Sequence, residues 1–113
     1  LRDQRIVVTG AAGGVGRALV ELLLADGAQV CASDLAIGPE RFASAGPGRL
    51  TTIAGDVSRA ADVDAIFAHA EGLFGGVDAL VSNAGFLLVK PVHETREDEW
   101  DTVMNVNARG LFL

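Results

Sequence analysis

The sequence predicts an α/β protein built on a doubly wound parallel sheet, and three observations carry that expectation. Short β-branched or apolar runs alternate with stretches whose apolar residues recur at helical spacing. The first of these runs, "RIVVTG" (5–10), is almost continuously apolar, as a strand buried on both faces must be. It empties into "TGAAGGVG" (9–16), four glycines and two alanines that offer almost no side chain before a helical pattern begins. Strands alternating with helices imply right-handed crossovers and a sheet covered on both faces.

The elements follow in order. After the strand at 5–10, Val15, Leu19, Leu22 and Leu23 mark a helix from Gly14 to Asp26, with Gly27 where a C-terminal cap belongs. "QVCAS" (29–33) reads as a second strand, and "AIGPERFASAGPG" (36–48) as a loop with one helical turn. "LTTIAG" (50–55) is a third strand. Val63, Ile66, Phe67, Ala70 and Phe74 then define one face of an amphipathic helix, with Ser58 placed to cap it and Asp62 in its early turns. "DALVSN" (78–83) is a fourth strand, and 86–95 is a connection through which Pro91 forbids a regular helix. From about Arg96 onward a long helix is predicted, apolar on more than one side; the acidic cluster in "HETREDEWD" (93–101) reads as its solvated start, and Trp100 as a core or interface anchor.

Composition narrows the function. Half of the 113 residues are hydrophobic, enough for a core within a single domain, and the net charge is −6 with no Lys/Arg run, which argues against nucleic acid as a partner. No run reaches the ~18 consecutive apolar residues of a membrane span, and no leader pattern is seen. Cys31 stands alone, so the reading is a buried, inert thiol in a reducing, cytoplasmic setting. His69 and His93 have no metal-ligand spacing, so no metal site is expected. The chain contains no Tyr, and Lys90 is its only lysine. It begins at Leu1 rather than Met, leaving room for a start upstream.

A strand, a bare turn and a helix N-terminus together make an anion site, and the simplest ligand is a pyrophosphate. A phosphate loop of the nucleoside triphosphatase kind is excluded, because Arg17 follows Gly16 with no Gly-Lys-[Ser/Thr]. The G-x-G-x-x-G spacing also fails, since Ala12 stands two residues after Gly10. By itself the turn equally reads as a tight strand-to-helix connection with no ligand. Asp34, ending the second strand some 20 residues beyond the glycines, shifts the balance, because a carboxylate there can accept both ribose hydroxyls of an adenosine. Its charge would repel a 2′-phosphate, and near in sequence the only cation is Arg17, pointing along the helix. NAD is therefore expected over NADP.

These residues together resemble the N-terminal half of a classical short-chain dehydrogenase/reductase, a Rossmann-type fold. The family's T-G-x-x-x-G-x-G is matched by Thr9, Gly10, Gly14 and Gly16, and its acidic residue after the second strand by Asp34. Asp56 and Val57 match the pair flanking adenine, although Asp56 also reads as a cap on the turn before Ser58. Asn83, Ala84 and Gly85 match N-A-G, with Ser82 where the family more often has Asn, and Asn107 matches the helical Asn in "NVNARG". Gly13 lets the loop also fit T-G-x-x-G-x-x-G of the extended, epimerase-like branch; "SNAG" favours the classical one. The resemblance spans all 113 residues and assigns Ala12, Val15 and Leu35 to the cofactor site as well.

What it implies is hydride transfer between nicotinamide and an alcohol or carbonyl carbon, with Asn107 helping to hold a water in the proton relay. The family's Tyr-x-x-x-Lys pair and serine follow a fifth strand, and Phe86 four residues before Lys90 has no proton to give. The segment is thus expected to be the dinucleotide-binding part, 1–113, of a longer single-domain fold ending here after the fourth strand and fourth helix, inactive alone. Two alternatives stay open: a non-catalytic NAD-binding module or sensor, and, ranked last, half of an S-adenosylmethionine-dependent methyltransferase. An exposed sheet edge and apolar residues in 100–113 lead to the expectation of a longer chain or a homo-oligomer, dimer or tetramer. Leu87, Leu88 and Val89 hint at an apolar wall for a small-molecule substrate.

Overall fold

The computed structural model describes residues 1–43 and 47–113. The part of the 36–48 loop at 44–46 lies outside the described residues; its one helical turn is the 3-10 turn Pro39–Arg41.

Four parallel strands, β1 (Arg5–Thr9), β2 (Gln29–Asp34), β3 (Arg49–Ala54) and β4 (Ala79–Val81), lie in the order β3-β2-β1-β4. β1 runs in register with β2 from Arg5–Gln29 to Thr9–Ser33, and with β4 from Ile6–Ala79 to Val8–Val81. The order reverses at β1, which has β2 on one side and β4 on the other. In such sheets the crevice beyond the strands' C-terminal ends at this reversal is where ligands bind.

Side-chain alternation splits the core into two layers. Ile6, Val8, Val30 and Ala32 face α1 (Gly14–Ala25) and meet Val20, Leu23 and Leu24, with Phe42 closing the layer. Val7 and Cys31 face the opposite way and pack on Ile66 and Ala70 of α2 (Ala60–Phe74). Both faces of the sheet are covered, as a doubly wound fold requires. Burial pushes the Cys31 thiol up to about 11, as suits an inert core cysteine.

Helix α1 ends as expected. Gly27 has φ +87°, and the N–H groups of Gly27 and Ala28 reach Leu24 O and Leu23 O, the paired closing bonds of a glycine-capped helix. Its buried face differs from the predicted one. Gly16, Val20, Leu23 and Leu24 point inward, while Val15 and Leu22 are largely exposed. The 16, 20, 23, 24 spacing is the tighter helical stripe, and it includes a glycine that carries no hydropathy signal.

Three further expectations are corrected. Ser58 does not cap α2: its N–H and hydroxyl both donate to Asp56 Oδ1, at 2.9 and 2.6 Å, so the chain turns there and the helix starts at Ala60 without a side-chain cap. β4 is only three residues long, because its C-terminal end bends away to bring Asn83 and Ala84 onto Thr9. Trp100 is no core residue here, being exposed on α3 (Glu97–Met104). The solvated start of α3 is as predicted, with Glu97, Asp98 and Glu99 in its first turn and Glu99 Oε1 accepting the Arg96 N–H at 3.1 Å. The helical path then widens into a π-helical stretch, Asn105–Arg109, before a last turn, Gly110–Phe112. Widened turns of this kind are frequent at functional sites.

Candidate cofactor cleft

At the C-terminal ends of the strands a cleft of about 630 Å³ opens, with four loops around it. The glycine loop between β1 and α1 forms its floor. Gly10 has φ +64°, and a Cβ there would stand 2.8 Å from Ala84 Cα and N. A Cβ on Gly16 would run into Gly10 O and lie 2.9 Å from both Ala11 Cα and Asn83 Nδ2. These two glycines are therefore required by the protein's own packing. Gly14 is different: a Cβ there would meet nothing within 4 Å. Nothing in the protein asks for a glycine at 14, and the space beside it lies in the cleft. Val15, next in line, is exposed at the same mouth despite its apolar side chain.

Asp34 stands at the end of β2, half-buried. Its Oδ2 accepts the Ala12 N–H at 3.0 Å and its Oδ1 the Leu35 N–H at 2.8 Å, which fixes the carboxylate against the glycine loop. Leu35 is exposed and lines the cleft beside it. On the far side of β3, Asp56 serves the turn, its two bonds from Ser58 holding it below the usual carboxylate range. Val57 lines the cleft, and Gly110 of the last helical turn is packed onto it so closely that a Cβ would come within 2.9 Å of Val57 Cγ2.

The fourth loop is tied to the first. Thr9 Oγ1 accepts the N–H groups of Asn83 and Ala84, each at 3.2 Å, and Asn83 Nδ2 donates to Gly10 O at 3.2 Å. Asn83 thus spends its amide on the glycine loop. Asn107, from the π-helical stretch, does the same for the next residue: its Oδ1 accepts the Phe86 N–H at 2.8 Å and its Nδ2 donates to Phe86 O at 2.7 Å. With both ends of the amide paired to the backbone of one residue, the side chain clamps the loop.

The structure brings Gly10, Gly14, Gly16, Asp34, Asp56 and Asn83 to one cleft, together with Val15, Leu35, Val57, Ala84 and Gly85. Ala12 lies behind the wall through its bond to Asp34, and Asn107 acts from behind Phe86. Sequence reading missed Thr9 as the tie between the two loops, Thr102 and Asn105 as lining residues, and Arg41, whose Nη2 reaches Ala12 O at 3.3 Å. Only the first had a local signal, a polar residue closing an apolar strand. The loop 86–95 presents Leu87 and Val89 to solvent and is anchored by Lys90, whose Nζ donates to Glu99 Oε1 at 2.8 Å. Among the described residues no acidic, histidine or cysteine side chains gather into a metal-binding group, and no helix is long and apolar enough to cross a membrane.

The profile of the family described as short chain dehydrogenase matches residues 4–113, nearly the whole chain. The chain belongs to the short-chain dehydrogenase/reductase family. Among its relatives are the short-chain dehydrogenase/reductase eriH of Hericium erinaceus, 38% identical over 95% of this chain and 46% of the relative. The 2-(S)-hydroxypropyl-CoM dehydrogenase 3 of Xanthobacter autotrophicus is 37% identical over all of this chain and 46% of its own length. The NAD-dependent glycerol dehydrogenase of Listeria innocua is 30% identical over 100% and 45%. Among solved structures, a short-chain dehydrogenase/reductase from Brucella melitensis superposes with a TM-score of 0.86 at 34% identity, covering 99% of this chain and 48% of that one. Levodione reductase gives 0.91 at 28%, over 99% and 46%. The chain spans less than half the length of these short-chain dehydrogenase/reductase relatives, and its parallel sheet with flanking helices is their fold.

Proposed function

We propose that the whole protein is an NAD-dependent oxidoreductase that moves a hydride between the nicotinamide and an alcohol or carbonyl substrate. Residues 1–113 supply the cofactor site as the N-terminal part of a longer single-domain fold. One observation carries this reading: the open space beside Gly14, at the N-terminus of α1, inside a cleft that also holds Asp34 and Val57. The open space counts here because Asp34, Asp56 and Val57 line the same cleft. The residues fit a dinucleotide. Gly14, Val15 and the first N–H groups of α1 would hold the pyrophosphate, favoured by the helix dipole. Asp34 and Leu35 would serve the adenosine ribose, Asp56 and Val57 the adenine, and the Asn83–Gly85 loop the nicotinamide half. When bound, the nicotinamide supplies the hydride acceptor or donor.

Asp34 favours NAD over NADP, because its carboxylate is held in place by two backbone N–H groups and opposes a 2′-phosphate. The Listeria relative, NAD-dependent by name, supports the same choice. Asn107 would act as a positioning residue, its two bonds to the Phe86 backbone locking the loop that would face the nicotinamide half. Exposed Trp100 and Phe112 mark the surface through which the whole protein would form a homo-oligomer, and the cytoplasm is its proposed compartment. The segment by itself would bind without turnover, since it has no Tyr to pass the proton.

The test is calorimetric titration of the whole protein and of the 113-residue segment with NAD, alongside NADH production from a panel of secondary alcohols. Binding by both and turnover by the whole protein alone is the expected result. Binding without turnover by the whole protein would select the alternative, a non-catalytic NAD-binding module. Folded protein that ignores NAD would refute the reading.

A further inference from the structure

Two asparagines stand two residues apart in "NVNARG" (105–110), and the turn of a helix sends them to opposite sides. Asn107 gives both ends of its amide to the Phe86 backbone. Asn105 is exposed and lines the cleft, and its amide has no hydrogen-bond partner among the described residues. Thr102 and Val106 line the cleft with it, and the i, i+3, i+4 spacing of the three makes one helix face. The Thr102 hydroxyl donates to Asp98 O of its own helix at 2.9 Å. On that face, then, only the Asn105 side chain offers an uncommitted donor and acceptor side by side.

Packing fixes where this amide stands. Gly110, just beyond the widened stretch, sits so close to the loop after β3 that a Cβ would lie 2.9 Å from Val57 Cγ2 and 3.2 Å from Val57 O. The helix is thereby held against Val57, and Asn105 lines the same cleft as Asp56, Val57 and Ser58. The acid there is largely committed to its own turn. Asp56 Oδ1 accepts both the N–H and the hydroxyl of Ser58, and the Asp56 N–H donates to Asp62 Oδ2 at 2.9 Å.

We propose that Asn105 reads the base of the dinucleotide, binding adenine through its exocyclic N6 amino group and the ring nitrogen beside it. Oδ1 accepts from the amino group while Nδ2 donates to the ring nitrogen, the same two-bond match by which an asparagine picks out adenine in a nucleic acid. Val57 and Val106 supply apolar surface for the ring. The proposal rests on the dinucleotide reading above and deepens it by naming the side chain that selects the base.

The experiment is calorimetric titration of the whole protein, wild type and Asn105→Ala, with NAD and with its etheno derivative, in which a bridge between N6 and N1 removes the amino donor. Alanine favours a helix, so the variant keeps its fold, which circular dichroism checks. Wild type binds NAD about tenfold more tightly than the etheno derivative, the worth of one such two-bond match. In Asn105→Ala the affinity for NAD falls to that for the etheno derivative, whose own affinity moves by less than about twofold. Wild type that binds the two equally would overturn the proposal, as would a variant that keeps the full preference or loses both ligands alike. Folded wild type that binds neither would instead bring down the dinucleotide reading, and this proposal with it.

Discussion

Two glycines, two residues apart on the same turn, are expected to respond to the same methyl group in opposite ways. Gly16 is buried, and its Cβ would stand 2.9 Å from Ala11 Cα and from Asn83 Nδ2 as well as striking Gly10 O. Backbone on two sides cannot rotate away, so Gly16→Ala has to open the β1–α1 turn and push the Asn83 loop off Gly10. Overpacking of that kind costs about 1–3 kcal/mol. Gly14 is the first residue of α1, exposed, with nothing within 4 Å of its Cβ position. Gly14→Ala therefore removes unfolded-chain freedom without a clash and should stabilise the protein by about 0.5 kcal/mol. The same methyl would occupy the space assigned to the pyrophosphate, and dinucleotide affinity should fall by about tenfold or more, the equivalent of a modest overpacking penalty. Urea unfolding read by circular dichroism gives the two stabilities, and calorimetry with NAD gives the affinities. Gly14→Ala binding NAD as tightly as wild type would refute the cradle; Gly16→Ala as stable as wild type would refute the packing argument.

Asn107→Ala removes both bonds to the Phe86 backbone and should cost about 1 kcal/mol, with faster hydrogen exchange at the Phe86 amide and weaker NAD binding. Unchanged exchange at Phe86 would mean that the clamp is unimportant. The Arg5 side chain and N–H hold the Asp78 carboxyl down to about 2, so the pair adds stability above the ordinary carboxylate pKa of about 3.9. That contribution is lost as pH falls toward 2. Arg5→Gln should flatten the acid limb of a stability-versus-pH curve, and a superimposable limb would sink the assignment. Gly110→Val should drive Val57 into the cleft and weaken NAD binding while leaving the Gly14 region unchanged, which chemical shifts of the glycine-loop amides would check.

Much of this was legible in the chain because it is local. The apolar period of "RIVVT", the glycine cap at Gly27 and the acidic first turn of α3 each depend on neighbours within a few residues. Asp34 could be placed because it ends a strand at a fixed distance from the glycine loop. The errors fell where a remote partner decides. Val15 and Leu22 look like core residues by hydropathy, yet the stripe that meets the sheet runs through Gly16 and Val20. Ser58 looks like a cap until Asp56 takes its hydroxyl. The bonds that Asn83 makes to Gly10 O and Asn107 makes to the Phe86 backbone were likewise invisible in the sequence, because each partner lies 21 or more residues away.

By itself the sequence determined the alternation of strands and helices, the bare loop after the first strand and the carboxylate after the second. Those are set by backbone preference and by the periodicity of burial, which are properties of short stretches. Tertiary structure alone decided which glycine is free to face a ligand and which is walled in by backbone. It also carried Arg41 over 29 residues to the peptide that Asp34 holds. Steric exclusion and charge proximity are measured through space, and the chain order does not contain those distances until the sheet has formed.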